Sequence, residues 1–334
     1  MKVEIFDVDH GACSLITTDT NQHVLLDCGH RSGPVNALAQ MMADLTFGAA
    51  PSPSQLMVDA VLGMSRPTAL GIAALLDAPS NPLMGLLSMS QAPVTASGWR
   101  PSVELADRGI NTIDMLLNSN FDEDHLSDLR NIVGKIYIAQ FVGNPTVSAR
   151  HIRSMKPFGM GPGVAMAVDL MENQQHTFQP RHIFGVDLYC FWVKNGANRI
   201  TDTNNLSLVT FVDWGDLHMI FPGDIEGPAW EILMGMNDFL ARLARVNVFV
   251  ASHHGRRSGY HPDVFRNGRC SPVLVVISDK AIKHGTQEGM TTLYGTVASG
   301  TMINGDYRRV LTTRKDGRIV FSMNPWGRAR VDFG

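Results

Sequence analysis

Asp122, Asp124 and His125 fall within the stretch Asn120-Phe121-Asp122-Glu123-Asp124-His125, and Asp224 and the pair His253-His254 follow at the ends of later apolar runs. Carboxylates and imidazoles gathered in this way are the usual donors to a divalent metal ion. A protein-bound ion most often serves hydrolysis, activating water and polarising the bond to be broken. Alternate side chains of an extended segment point the same way, so Asp122 and Asp124 can face one pocket, with His125 beside them at the start of a helix. Oxygen and imidazole donors suit Zn, Mn or Fe, and added carboxylates shift the preference toward Mn and Mg. Arg256 and Arg257 follow the histidine pair, and guanidinium groups beside a metal suit a phosphate.

Each of these residues also has a plain structural use. Asp124 and His125 can cap and charge the first turn of a helix. Asp224 can cap a helix beginning near Pro228, Asp27 can form a turn before Cys28-Gly29, and the arginines can lie on a solvated loop. The chemical reading is favoured because the residues occur together at predicted strand ends, where functional loops collect.

The elements that must position them follow from the apolar pattern. Val3–Val8, Ala12–Thr17 and His23–Asp27 read as a meander of short strands. Asn111–Leu117 reads as a strand running into the acidic motif, and Glu123–Ile132 as the helix after it. Lys135–Phe141 and Ile183–Val193 are strands, with a loose stretch between them. Asn205–Asp213 and Leu217–Pro222 form a hairpin around Trp214-Gly215-Asp216. Pro228–Arg245 is an amphipathic helix, Val246–Ser252 a strand ending at His253, and Val273–Ser278, Arg309–Thr313 and Arg318–Met323 are further strands. Strands and helices in this order imply packed sheets with helices outside them. Residues 32–97 differ: rich in Ala, Leu, Met, Pro and Ser and nearly uncharged, they read as an apolar helical insertion suited to a cap, a homodimer contact or another partner's surface.

With 334 residues the chain can form one large domain, and a net charge of −3 gives no overall attraction to nucleic acid. The four cysteines are scattered without a CxxC pair, which fits a reducing, cytoplasmic setting. No apolar run reaches transmembrane length, and the N-terminus reads as a strand rather than a secretory signal.

The order Asn-x-Asp-x-Asp-His, Gly-Asp, Ser-His-His-Gly resembles the metallo-β-lactamase superfamily, and within it the branch containing the hydrolase domain of the DNA-uptake protein ComEC. The likeness extends to Phe6-Asp7-Val8-Asp9-His10-Gly11, Leu26-Asp27-Cys28-Gly29, Asn204-Asn205-Leu206-Ser207-Leu208-Val209 and Phe221-Pro222-Gly223-Asp224. It covers residues 1–31 and 98–325 and leaves out the insertion. The resemblance implies a four-layer αββα sandwich in the α/β class and a metal-dependent hydrolase with one or two divalent ions (Zn, Mn or Mg). It implies ligands among Asp122, Asp124, His125, Asp224 and His253, with Asp124 and Asp224 acting in catalysis. Asn120, His254, Asp27 and His10 stand at the metal or just behind it, and Arg256 and Arg257 meet the substrate. Asn120 occupies a place the family usually gives to histidine. This leaves open two ions with the first loosely held, one ion, or a site without efficient turnover. The branch favours a phosphodiester substrate and hence nuclease or phosphodiesterase activity. A carboxylic ester, thioester or lactam substrate, or a partner-binding module with a degenerate site, are the alternatives.

Overall fold

The computed structural model describes residues 1–9, 11–31, 98–173, 183–280, 285–323 and 329–334. The chain divides into two compact units. The larger comprises Met1–Arg31, Trp99–Lys156 and Met160–Gly334, and the smaller Ser32–Gly98 with Pro157–Gly159. The expected helical insertion at 32–97, and any interface it forms, lies outside the described residues.

The larger unit is built on two sheets. The first has seven strands in the order β17 (Ala329–Phe333), β16 (Ile319–Met323), β1 (Lys2–Ile5), β2 (Ser14–Thr17), β3 (His23–Leu26), β5 (Met115–Leu117), β7 (Phe141–Val142). The second has six, in the order β15 (Val310–Thr312), β12 (Leu274–Ile277), β11 (Val248–Val250), β10 (Leu217–Phe221), β9 (Val209–Trp214), β8 (Asp187–Phe191). Two short pairs complete the strands: β4 (Thr112–Ile113) with β6 (Tyr137–Ile138), and β13 (Thr301–Ile303) with β14 (Asp306–Arg308).

Side-chain alternation sorts the core into layers. Val3, Ile5, Val24, Leu26, Met115 and Leu117 of the first sheet meet Val212, Met219, Phe221, Val248 and Val276 of the second in one buried cluster. The intervening residues face outward to helices. Leu15, Leu25 and Leu116 pack with Leu105 of α1 (Pro101–Asp107), Leu129, Ile152 and Val168, while Phe211, Ile220, Phe249 and Val275 pack with Trp230, Phe239, Val264 and Tyr294. The result is helix, sheet, sheet, helix, the four-layer αββα arrangement expected from the sequence. No helix among the described residues is long and apolar enough to cross a membrane.

Several segments differ from the sequence expectation. The strands expected over Asn111–Leu117 and Lys135–Phe141 each split between two sheets, as β4 and β5 and as β6 and β7. The helix expected over Glu123–Ile132 is two, α2 (Glu123–Leu126) and α3 (Leu129–Val133). Between them the Asp128 N–H donates to the Cys28 carbonyl at 3.0 Å and its carboxylate accepts from Ser102 N at 2.7 Å, which draws the chain off the helical path. The helix expected over Pro228–Arg245 breaks at Gly235-Met236 into α6 (Gly227–Leu233) and α7 (Asn237–Leu243). The loose stretch holds two helices, α4 (Ala149–Met155), closed by a Ser148–His151 capping box, and α5 (Pro162–Asn173), which starts on its proline.

Candidate metal centre

β3 and β5 run parallel with Leu26 opposite Leu117, and β10 and β11 run parallel with Ile220 opposite Phe249. Their C-terminal ends open at one edge, where the two sheets are tied by Leu208 N donating to the Ser119 carbonyl at 2.7 Å. Asp27, the 119–125 turn, Asp224 and His253-His254 all leave the sheets there.

The turn carrying Asp124 and His125 is clamped from below. Cys28 N donates to the His125 carbonyl at 2.7 Å, and a Cβ on Gly29 would stand 2.2 Å from the Asp124 carbonyl oxygen. Only a residue without a side chain admits so close a backbone crossing. The Asp27 carboxylate accepts from Ser119 N at 2.7 Å and from Ser119 Oγ at 2.5 Å, and lies 2.9 Å from His125 Nδ1. Nδ1 therefore donates to Asp27, which leaves Nε2 facing inward.

Across the seam, Asp224 follows Gly223 and its N–H donates to Ser207 Oγ at 3.1 Å. Asn205 Oδ1 accepts from Glu226 N and Ala229 N, both at 3.2 Å, which fixes the start of α6 beside it. After β11 the chain turns left-handed at three successive residues, with φ of 51° at His253, 52° at His254 and 71° at Gly255. Non-glycine residues rarely hold this conformation, and its cost is tolerated where surrounding contacts fix it. Here Ser252 Oγ bonds the Gly223 and Ile225 carbonyls, and Trp230 Nε1 bonds the Gly259 carbonyl at 2.9 Å.

These elements bring Asp124, His125, Asp224 and His254 together, with one donor atom from each all within 4.8 Å of one another. His125 Nε2 lies 3.2 Å from Asp224 Oδ1, and His254 Nε2 lies 3.3 Å from Asp124 Oδ2 and 3.5 Å from Asp224 Oδ2. Neither Nε2 makes a directed hydrogen bond, although both are buried. Two buried imidazole nitrogens without a well-directed hydrogen bond, set beside two carboxylates, fit a divalent ion, which would satisfy all four donors at once. Electrostatics agrees. Burial pushes both imidazoles down, but Asp224 and Asp27 outweigh it at His125, which is held well above its ordinary value. Asp224 and Asp124 do so at His254, which rises to about 9. Burial likewise opposes ionisation of Asp224, yet His125 and His254 hold its carboxyl well below the usual range.

Of the other expected ligands, His253 and Asp122 are engaged elsewhere. Arg256 Nη1 donates to His253 Nε2 at 3.0 Å, so that lone pair is consumed, and Nδ1 sits 3.0 Å from Glu226 Oε1. Its Nε2 lies 3.9 Å from Asp224 Oδ2. His254, from the edge of the expected site, stands in the cluster where His253 was anticipated. Asp122 pairs with the Lys156 ammonium and accepts from Thr203 Oγ1 at 2.9 Å. Asn120 is fully buried; its Nδ2 donates to Asn204 Oδ1 at 3.1 Å and its Oδ1 has no partner. Arg256 is half-buried, with an unpaired Nε and no carboxylate in ion-pair range among the described residues, while Arg257 is exposed. His10 lies outside the described residues. Sequence reasoning missed Ser119, Glu226, Lys156 and Thr203. Ser119 could have been suspected from its place inside the acidic motif.

Comparison with solved structures finds a metallo-β-lactamase with an HARLDQ motif from Cronobacter sakazakii (14% identity, 72% of this chain and 70% of that one, TM-score 0.31). It also finds Zn-bound PqqB from Methylobacterium extorquens (12% identity, 75% and 70%, TM-score 0.31) and the metallo-β-lactamase MIM-1 from Novosphingobium pentaromativorans (14% identity, 74% and 74%, TM-score 0.27). No protein-family profile and no curated protein matches the chain. At this level of superposition the fold rests on the strand order and layering described above rather than on these neighbours.

Proposed function

We propose that this protein is a metal-dependent hydrolase of phosphodiesters, nucleic acid or nucleotide, with Asp124, His125, Asp224 and His254 as the ligands. One observation carries the reading: two buried imidazole nitrogens, 3.2–3.5 Å from the carboxylate oxygens they face, converge with those two carboxylates between the sheets. An ion bound there would supply Lewis acidity and make water a nucleophile near neutral pH.

The chain's own residues supply the rest. Asp27 locks the His125 tautomer and raises its basicity. Asp224 is buried and holds its negative charge between the two imidazoles. The Asp124 side chain is 41% exposed, so one of its oxygens can reach the solvent side of the centre and accept a proton from an attacking water. Arg256, with no carboxylate partner among the described residues, supports a negatively charged substrate, because its guanidinium can donate to a phosphate oxygen. Glu226 and Ser258 hold the His253 ring that orients Arg256.

The test is direct. The metal-stripped protein is reloaded with Mn, Mg or Zn and assayed on single-stranded DNA, RNA and an aryl phosphodiester. Cleavage that requires the ion, and is lost in an Asp124→Ala, His125→Ala variant that remains folded, is expected. Failure to cleave any of these, or equal activity in the variant, overturns the proposal.

A further inference from the structure

We propose that the Lys156 ammonium stands in place of a second divalent ion, so that the centre takes one ion per chain. This rests on the metal-centre reading above and concerns the ground beside it. The resemblance would assign a second ion to Asn120, Asp122 and a shared Asp224. Both oxygens of Asp122 are already spent, one on Lys156 Nζ and the other on Thr203 Oγ1 at 2.9 Å. The Asn120 side chain is tied through Nδ2 to Asn204 Oδ1, and its remaining oxygen is a neutral amide donor with weak claim on a dication.

Lys156 is well placed for this role. It follows α4, its backbone N–H donates to the Ile152 carbonyl at 3.0 Å, and its side chain is 24% exposed against 28% for Asp122. Asp122 is its one carboxylate partner among the described residues. An ammonium brings one positive charge and three N–H bonds without demanding a coordination shell. One of those bonds serves Asp122, and the others have no protein partner among the described residues, so the group offers an anionic substrate a fixed positive charge. A second dication would have to break this sheltered pair and would gain only an amide oxygen and a shared carboxylate in return.

Ion counting separates the alternatives. The full chain, stripped of metal and titrated with Mn²⁺ or Zn²⁺, is followed by calorimetry and native mass spectrometry. The wild type should take one ion, Asn120→His should still take one, and the double variant Asn120→His, Lys156→Met should take two, with circular dichroism confirming the fold. At millimolar Mn²⁺ the single variant Lys156→Met should develop the electron-spin signature of a coupled ion pair that the wild type lacks. Two ions in the wild type, or one ion in the folded double variant with no coupled pair in Lys156→Met, overturn the inference while leaving the hydrolase reading intact. No ion in the wild type overturns both.

Discussion

His125 Nδ1 lies 2.9 Å from Asp27 Oδ2, and this contact decides which ring nitrogen faces Asp224 across the seam. Such a carboxylate behind a metal-binding histidine is worth roughly 10–100-fold in ion affinity. Asp27→Ala should therefore weaken ion binding by about that factor in calorimetry while the protein stays folded. Unchanged affinity would mean that His125 is oriented by Ser119 and packing alone.

The two adjacent histidines should respond differently. His254→Ala removes a donor from the cluster and should weaken ion binding more than the Asp27 variant does. His253→Ala frees Arg256 and should leave the ion count unchanged while raising KM. Loss of the ion in His253→Ala, with its retention in His254→Ala, would reverse the assignment of the pair.

Arg256 tests the charge of the substrate. A charge-assisted hydrogen bond is worth about 1.5–3 kcal/mol, so Arg256→Ala should lower kcat/KM on a phosphodiester by roughly 10–100-fold, with Arg256→Lys intermediate. A neutral ester substrate should be nearly indifferent to the change. Equal loss on both would assign Arg256 to the fold of the loop.

On the metal-centre reading, protons and the ion compete for the same imidazoles. His254 is raised from 6.5 to about 9 and His125 well above 6.5, burial being outweighed by the neighbouring carboxylates. Because the folded values exceed the unfolded ones, the stability these histidines give the ion-free protein is complete below pH 6.5 and is lost as pH rises through about 9 for His254. Ion binding at neutral pH should release about two protons, and apparent affinity should climb with pH over that interval. Calorimetry in buffers of different ionisation enthalpy measures the release, and an affinity flat across the interval would contradict it.

Gly29 is a packing test. A Cβ there meets the Asp124 carbonyl oxygen at 2.2 Å, so Gly29→Ala must displace the turn. A loss of about 1–3 kcal/mol is expected in chemical denaturation, together with weakened ion binding.

Much of this architecture was legible because short, nearly continuous apolar runs mark strands buried on both faces, and the strands flanking the site end on recognisable Gly-Asp and Ser-His-His-Gly turns. The choice within His253-His254 was not. His253 is expected from the sequence because it directly ends the strand, yet Val248 and Val250 of β11 face the other sheet while Phe249 and Ala251 face the helices, so the alternation favours His254, and the left-handed backbone at 253–255 then departs from the extended path. Asp122, expected among the ligands, meets Lys156 and Thr203 instead of joining the cluster. It is the extended residue before α2, so the alternation that paired it with Asp124 stops at that point. Lys156, which meets it, arrives from 34 positions along the chain.

The donors also come from opposite walls of the sandwich: Asp124 and His125 follow the first sheet, Asp224 and His254 the second. An ion held by all four would rivet the open end of the molecule shut. Its removal should register first as mechanical fraying, with faster amide exchange and protease cutting in loops 119–128 and 251–260, while the far ends of the same strands remain protected.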